Sequence, residues 1–229
     1  MLTRDILKKR FDTSLLDPNT SDKDLIDFIE KCLQYEDYIV AIAVNANQLD
    51  IAFRMLKNKD IDVVATIAYP LGTLPLEVKV SLAKRFADLG VDQIDVGMNL
   101  GAFKSGNKDY VKKEISEIVS AVKGKLKTIS IIPYTCMLTK EEIAEIGRII
   151  AECGATMIKT NPGYGYNTRV EDVKILKETV GNSVKIMASG GVRNLEQTLA
   201  MIEAGADRIA TSTPFQIFEE AEKTMEMLA

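Results

Sequence analysis

Histidine is absent from all 229 residues. That absence removes His-based nucleophile triads, imidazole metal ligands and imidazole acid–base catalysis together. Any enzyme built from this chain must work with Lys, Asp, Glu, Tyr, Ser, Thr, Cys or a bound cofactor. Cysteine is scarce: Cys32, Cys136 and Cys153 are odd in number and far apart, the pattern of buried free thiols in a reducing compartment rather than of disulfides. No uninterrupted apolar run approaches the ~20 residues that a membrane helix needs. Residues Met1 to Arg10 are charged and lack the apolar stretch of a signal peptide, so the expectation is a cytoplasmic protein with no membrane partner. A basic cluster is missing too, and the formal charge is −4, which argues against a nucleic-acid partner.

What is present is a regular alternation. Arg10 to Leu16 reads as a first strand, ended by Asp17-Pro18. Ser21 with Asp24 caps a helix whose apolar face carries Leu25, Ile29 and Cys32. Tyr38 to Val44 and Ile61 to Tyr69 are nearly continuous apolar runs, as in strands buried on both faces of a parallel sheet. Further strands are expected over Val91 to Gly97, Leu126 to Ile132, around Lys159, over Val184 to Ala188 and over Arg208 to Thr211. Helical periodicity fills the gaps: Gln48 to Lys57, the Val78/Leu82/Phe86/Leu89 face, the Val111 to Val122 stretch, and Phe215 to Leu228 at the end. Gly101 to Asn107 reads as a loop, and Thr139/Glu142 and Thr168/Glu171 as capping boxes. Leu89-Gly90, Cys153-Gly154 and Ala204-Gly205 each end a helix on glycine, which enters the left-handed region freely. Eight such units without a change of composition predict a single (β/α)8 TIM barrel domain over residues 1–229. An open doubly wound sheet is the competitor, but no Gly-x-Gly-x-x-Gly follows the first strand.

In such a barrel the active site lies at the carboxyl ends of the strands. That layer reads Asp12, Asn45, Tyr69, Asp95, Tyr134, Thr135, Lys159, Met187 and Ser212. Lys159 is its one lysine. An ammonium is a poor choice for packing, but desolvation lowers a lysine pKa and leaves neutral amine to attack a carbonyl. Asp95 is placed to shuttle protons. After the seventh strand comes Ser189-Gly190-Gly191, and after the eighth Ser212-Thr213-Pro214. Glycines that expose backbone N–H groups, hydroxyl donors and a helix N-terminus suit a phosphate, with Arg193 either assisting or facing solvent.

These residues also resemble a family. Phe11-Asp12-Thr13-Ser14-Leu15-Leu16, Ala43-Val44-Asn45, Tyr69-Pro70-Leu71-Gly72, Glu77-Val78-Lys79 and Ile94-Asp95-Val96 match the deoxyribose-phosphate aldolase (DeoC-type) class I aldolases. So do Asn99 to Gly106, Tyr134 to Thr139, Ile158-Lys159-Thr160, Ala188 to Arg193 and Ala204 to Ile209, in order along nearly the whole chain. The resemblance implies that Lys159 forms the Schiff base, that Asp95 relays protons, and that Asp12 and Ser14 lie near the substrate. It implies further that Gly163, Gly190, Gly191, Ser212 and Thr213 hold a phosphate, with Asn45 and Thr160 also among the substrate-binding positions. The implied reaction is cleavage of 2-deoxy-D-ribose 5-phosphate to glyceraldehyde 3-phosphate and acetaldehyde. No metal or organic cofactor is implied, the partner is a small phosphorylated sugar or aldehyde, and a homodimer is the expected assembly.

The chain departs from the family pattern in four places. Met187 stands where the family has a second lysine, Tyr134 where it has a glutamate, Asn161 in place of a serine and Pro162 in place of a small hydroxyl residue. Lys185, two residues before Met187 and about 6.6 Å back along the same strand face, either substitutes for the missing lysine or faces solvent at the barrel bottom. Two other readings therefore stand beside the first: a relative that uses Lys159 on a different phosphorylated carbonyl, and a sugar-phosphate-binding barrel with impaired turnover.

Overall fold

Period-two patterning divides every strand between two environments. The computed structural model, which describes residues 4–228, resolves them as the outside and the inside of one closed parallel barrel. Its strands run β1 (Phe11–Leu15), β2 (Ile39–Val44), β3 (Asp62–Ile67), β4 (Gln93–Gly97), β5 (Thr128–Ile132), β6 (Met157–Lys159), β7 (Lys185–Ser189) and β8 (Arg208–Thr211). Each pairs with its sequence neighbour, and β8 pairs with β1 (Asp12 beside Ala210), so the expected (β/α)8 TIM barrel is the observed fold. After the short α1 (Arg4–Leu7), the helices are α2 (Asp22–Leu33), α3 (Leu49–Met55), α4 (Leu76–Leu89), α5 (Leu100–Lys104) and α6 (Lys108–Ala121). Then come α7 (Lys140–Glu152), α8 (Val170–Val180), α9 (Leu195–Glu203) and α10 (Pro214–Leu228).

Outward strand residues such as Ile42, Ile94, Ile131, Ile158, Ile186 and Ile209 are buried with the apolar faces of the helices in one continuous core. Each such side chain contributes roughly 1.5–3 kcal/mol on burial. Inward residues differ. Two small apolar clusters, Ala41/Ala43/Val64 and Met157/Met187/Ala210, share the barrel interior with the buried polar side chains of Asp12, Gln93, Asp95, Ser130 and Lys159. A barrel axis this polar is expensive unless its groups are paired, and that pairing shapes the site.

Local signals account for most boundaries. Ser21 and Thr139 cap α2 and α7 with the expected reciprocal boxes to Asp24 and Glu142. Two expectations shift. The segment read as a loop over 101–107 contains α5, because the Asn99 side chain accepts the Ala102 N–H at 2.9 Å and Phe103 is buried. The cap of α8 falls on Arg169 rather than Thr168: the Asp172 carboxylate accepts from Arg169 Nε at 2.8 Å, whereas Thr168 Oγ1 has no partner among the described residues. All three cysteines are free, as expected, but only Cys32 is buried; Cys136 and Cys153 are half-buried.

Candidate active site

A cavity of about 280 Å³ opens at the carboxyl ends of the strands, lined by Asp12, Ser14, Tyr69, Asp95, Lys159 and the loops after β6, β7 and β8. Its volume lies at the small end of ligand pockets and suits a small molecule. Lys159, the last residue of β6, donates from Nζ to Asp95 Oδ2 at 2.6 Å, and the two side chains are only 5% and 3% exposed. Asp95 Oδ1 is buried without a hydrogen-bond partner among the described residues, leaving one acceptor of the carboxylate unused. The Tyr69 ring centroid lies 5.8 Å from the ammonium.

The electrostatics correct one expectation. Burial does pull the Lys159 pKa down, but the charge and hydrogen bond of Asp95, with Tyr69 and then Asp12 adding to them, more than reverse this, and the ammonium is held above the ordinary lysine value. Lys159 is therefore an ammonium at rest, and its amine is free only once a proton has passed to its partner. Burial pushes Asp12 up to about 7, against the opposing pull of Arg208; Asp95 and Asp62 add to the rise and Lys159 opposes it. The Tyr69 phenol is pushed up to about 12, chiefly by burial, and stays neutral near pH 7.

Beside β6, the end of β7 turns on two glycines. Gly190 and Gly191 have φ of +95° and +81°. A Cβ on Gly190 would lie 2.1 Å from the Tyr166 carbonyl oxygen, and one on Gly191 would lie 2.7 Å from Asn167 Oδ1. Only glycine meets both demands. Gly163, Ser212 and Arg193 line the same cavity, with α10 beginning two residues after Ser212. The loop after β6 bridges the mouth: Tyr164 Oη donates to the Leu16 carbonyl at 2.9 Å, Thr168 N–H to the Gly190 carbonyl at 2.9 Å, and Tyr69 Oη to the Pro162 carbonyl.

Several expected positions lie outside the cavity. Asn45 donates instead to the Asp17 carbonyl at the rim. Thr160 Oγ1 donates to the Ser189 carbonyl and accepts its N–H, fastening β6 to β7. Thr213 turns back to Thr211. Tyr134 adopts φ +60° and buries its ring away from the cavity; its hydroxyl packs so close to Gly97 that a Cβ there would lie at 2.5 Å. Thr135 is drawn into a buried network with Asn161 and Asp172, and Met187 packs into the interior with Met157 and Ala210. Lys185 opens β7 at the far end of the barrel and is exposed, among Arg10, Asp60 and Asp207, so it does not replace the missing lysine.

Two groups escaped the sequence reading. Lys79 and Glu114, 0% and 1% exposed, pair at 2.8 Å; Lys79 also donates to the carbonyls of Gly72 and Gly97, and Glu114 accepts the Asn99 N–H. They lock the turn after Tyr69 to the end of the strand that carries Asp95. Arg208, at the start of β8, reaches into the interior toward Asp12 and Gln93. Its signal was available, since an inward Ser212 places residues 210 and 208 on the same face.

Comparison with known proteins bears on this arrangement. A model of the DeoC/LacD family of aldolases matches residues 9–219. The deoxyribose-phosphate aldolase of Thermococcus gammatolerans is 38% identical over 218 residues, 94% of this chain and 96% of that one. Among solved structures, an aldolase named QR15 superposes with a TM-score of 0.89 at 35% identity, covering 97% of this chain and 99% of its own. A deoxyribose phosphate aldolase from Aeropyrum pernix, described as having a unique tetrameric structure, shares the fold at a TM-score of 0.86 and 22% identity, over 96% of this chain and 92% of that one.

Proposed function

This chain belongs to the DeoC/LacD family of aldolases, and on that premise we propose that it is a class I aldolase cleaving 2-deoxy-D-ribose 5-phosphate to glyceraldehyde 3-phosphate and acetaldehyde. The observation that carries the reading is the buried Lys159–Asp95 pair in a cavity that the glycine and hydroxyl loops after β7 and β8 also line.

The chemistry follows from that geometry. Lys159 transfers a proton to Asp95, and the neutral amine attacks the C1 aldehyde of the open-chain sugar. Asp95 returns the proton as the carbinolamine loses water, leaving an iminium whose positive nitrogen draws electrons. The free Oδ1 of Asp95 then accepts the C3 hydroxyl proton. The C2–C3 bond breaks, its electron pair forms an enamine, and glyceraldehyde 3-phosphate departs. Asp95 protonates C2 of the enamine, and water hydrolyses the iminium to release acetaldehyde. Gly190, Gly191, Gly163, Ser212 and Arg193 hold the phosphate and so fix C1 against Lys159. Asp12 lies beside the pair as a second ionisable group.

Met187 and Tyr134, which favoured a different phosphorylated carbonyl, are not cavity walls, so neither supports another substrate. Cytoplasmic location and self-association as a homodimer belong to the same reading; among the described residues no helix is long and apolar enough to cross a membrane. The test is turnover of deoxyribose 5-phosphate with both products measured. Wild-type protein should release acetaldehyde and glyceraldehyde 3-phosphate in equal amounts, and Asp95→Asn should lower kcat about 10²–10⁴-fold. Absence of turnover with this substrate overturns the reading.

A further inference from the structure

Lys159, Met187 and Arg208 are register partners across β6, β7 and β8, so one row of the interior reads cation, thioether, cation. Arg208 starts at the barrel floor, where it lines a hollow with Lys185 and Asp207, but its side chain is only 15% exposed, and Nη1 donates to Gln93 Oε1 at 3.0 Å. The same nitrogen faces both oxygens of Asp12 at 3.5 Å. Gln93 uses its other end too, donating from Nε2 to Asp62 Oδ2 at 2.6 Å, and Asp62 is paired with Lys127 at the exposed end of the barrel. A chain of contacts thus runs up the axis from Lys127 through Asp62, Gln93 and Arg208 to Asp12, which lines the catalytic cavity.

The amide of Gln93 fixes the direction of this chain, since its carbonyl must accept from Arg208 while its NH₂ donates to Asp62. The charges make Arg208 necessary. Asp12 is faced by Asp95 from β4, Lys159 from β6, Asp62 from β3 and Arg208 from β8. Asp95 has already claimed Lys159 at 2.6 Å. Arg208 is therefore the cation left to offset the burial of the Asp12 carboxylate, and no residue of the Met157/Met187/Ala210 cluster can do so.

Resting on the aldolase reading above, we propose that Arg208 is a positioning residue for the reaction: held by Gln93, it offsets the burial of the Asp12 carboxyl and directs it at the Lys159–Asp95 pair. Arg208 touches no substrate. It acts through Asp12, whose burial otherwise drives it toward the protonated form.

The test titrates Asp12 directly, by carbon NMR of protein labelled at the aspartate carboxyl, in wild type, Arg208→Met, Arg208→Lys and Gln93→Met. Asp12→Asn identifies the resonance. Arg208→Met should move the Asp12 midpoint upward by about one to three pH units. Arg208→Lys should recover most of that shift, and Gln93→Met, which keeps the charge but frees the guanidinium, should give a smaller upward move. The acid limb of kcat/KM for deoxyribose 5-phosphate should move with the midpoint while the phosphate-end contribution to KM stays constant. An Asp12 midpoint unchanged in Arg208→Met overturns the proposal, and so does a midpoint that moves while the acid limb does not. Should wild-type protein fail to turn the substrate over, the aldolase reading fails, and the NMR midpoint still decides whether Arg208 governs Asp12. Gln93→Met keeps the proposal falsifiable if Arg208→Met does not fold.

Discussion

Replacing Glu114 by alanine probes the scaffold of the site without touching the cavity. Lys79 Nζ has three acceptors, the Gly72 carbonyl at 2.9 Å, the Gly97 carbonyl at 2.7 Å and Glu114 Oε1 at 2.8 Å, and Glu114 Oε2 accepts the Asn99 N–H at 2.8 Å. The variant leaves a buried ammonium facing two carbonyls and an N–H without its acceptor. Breaking a buried pair at one end costs about 3–5 kcal/mol. An unpaired N–H adds about 1–3 kcal/mol. Lys79 can limit the loss by shedding its proton, because burial already holds its pKa below the usual lysine value and Glu114 is what opposes that. The expected net loss is about 4 kcal/mol, a large share of a typical stability of 5–15 kcal/mol. For a chain of this size that is a fall of roughly 8–16 °C in Tm. Urea denaturation and calorimetry on Glu114→Ala, Lys79→Met and the Lys79→Met/Glu114→Leu double variant close the cycle. The double variant should be the more stable relative to the sum of the singles by several kcal/mol. Because the pair fixes the end of β4 beyond Asp95, kcat of Glu114→Ala should also fall at temperatures where it remains folded. A loss below about 1 kcal/mol for Glu114→Ala, or a double variant no better than additive, would refute the reasoning.

The Asp12 pKa, raised from 3.8 to about 7, carries a stability signature. Folded protein binds a proton there that unfolded protein has released, so this group's contribution is full below about pH 4 and is lost as pH rises through about 7. Between pH 5 and pH 8 Asp12→Asn should therefore gain ~3 kcal/mol relative to wild type, about two units at about 1.4 kcal/mol each, with no further change above pH 7; urea midpoints that stay parallel across this range would contradict it. Gly191→Ala, with φ of +81° and a Cβ placed 2.7 Å from Asn167 Oδ1, should raise KM about tenfold with little change in kcat, the signature of lost phosphate binding. Met187→Lys puts an ammonium between Lys159 and Arg208 without a carboxylate of its own. It should lower the urea midpoint by the equivalent of several kcal/mol and leave turnover no higher. A gain in turnover at unchanged stability would mean that the site works below capacity for want of the strand-seven lysine.

The barrel was legible because strand and helix periods repeat without interruption and glycines close the helices. Lys159 and Asp95 were legible because charge at the carboxyl end of an apolar strand has few structural uses. Arg208 and Gln93 were not, because they lie at strand starts, and only side-chain length carries Arg208 inward as far as Asp12 and Gln93. The Lys79–Glu114 pair joins α4 to α6 across 35 positions, and no local pattern marks such a partner. Position at a strand end also proved insufficient by itself. Asn45 and Tyr134 stand in that layer by sequence, yet each is drawn aside by a nearer backbone or packing partner, as is Thr160 beside Lys159. The resting charge of Lys159 was misjudged for a related reason: desolvation is visible from an apolar strand, whereas the 2.6 Å approach of Asp95 is a product of barrel closure.

The most direct measurement is borohydride trapping with deoxyribose 5-phosphate, followed by intact mass and peptide mapping. The expected result is one reduced adduct per chain, located on Lys159 and absent from Lys159→Arg. Wild-type protein that yields no adduct with deoxyribose 5-phosphate or acetaldehyde, or an adduct mapped to another lysine, would contradict a Schiff base on Lys159.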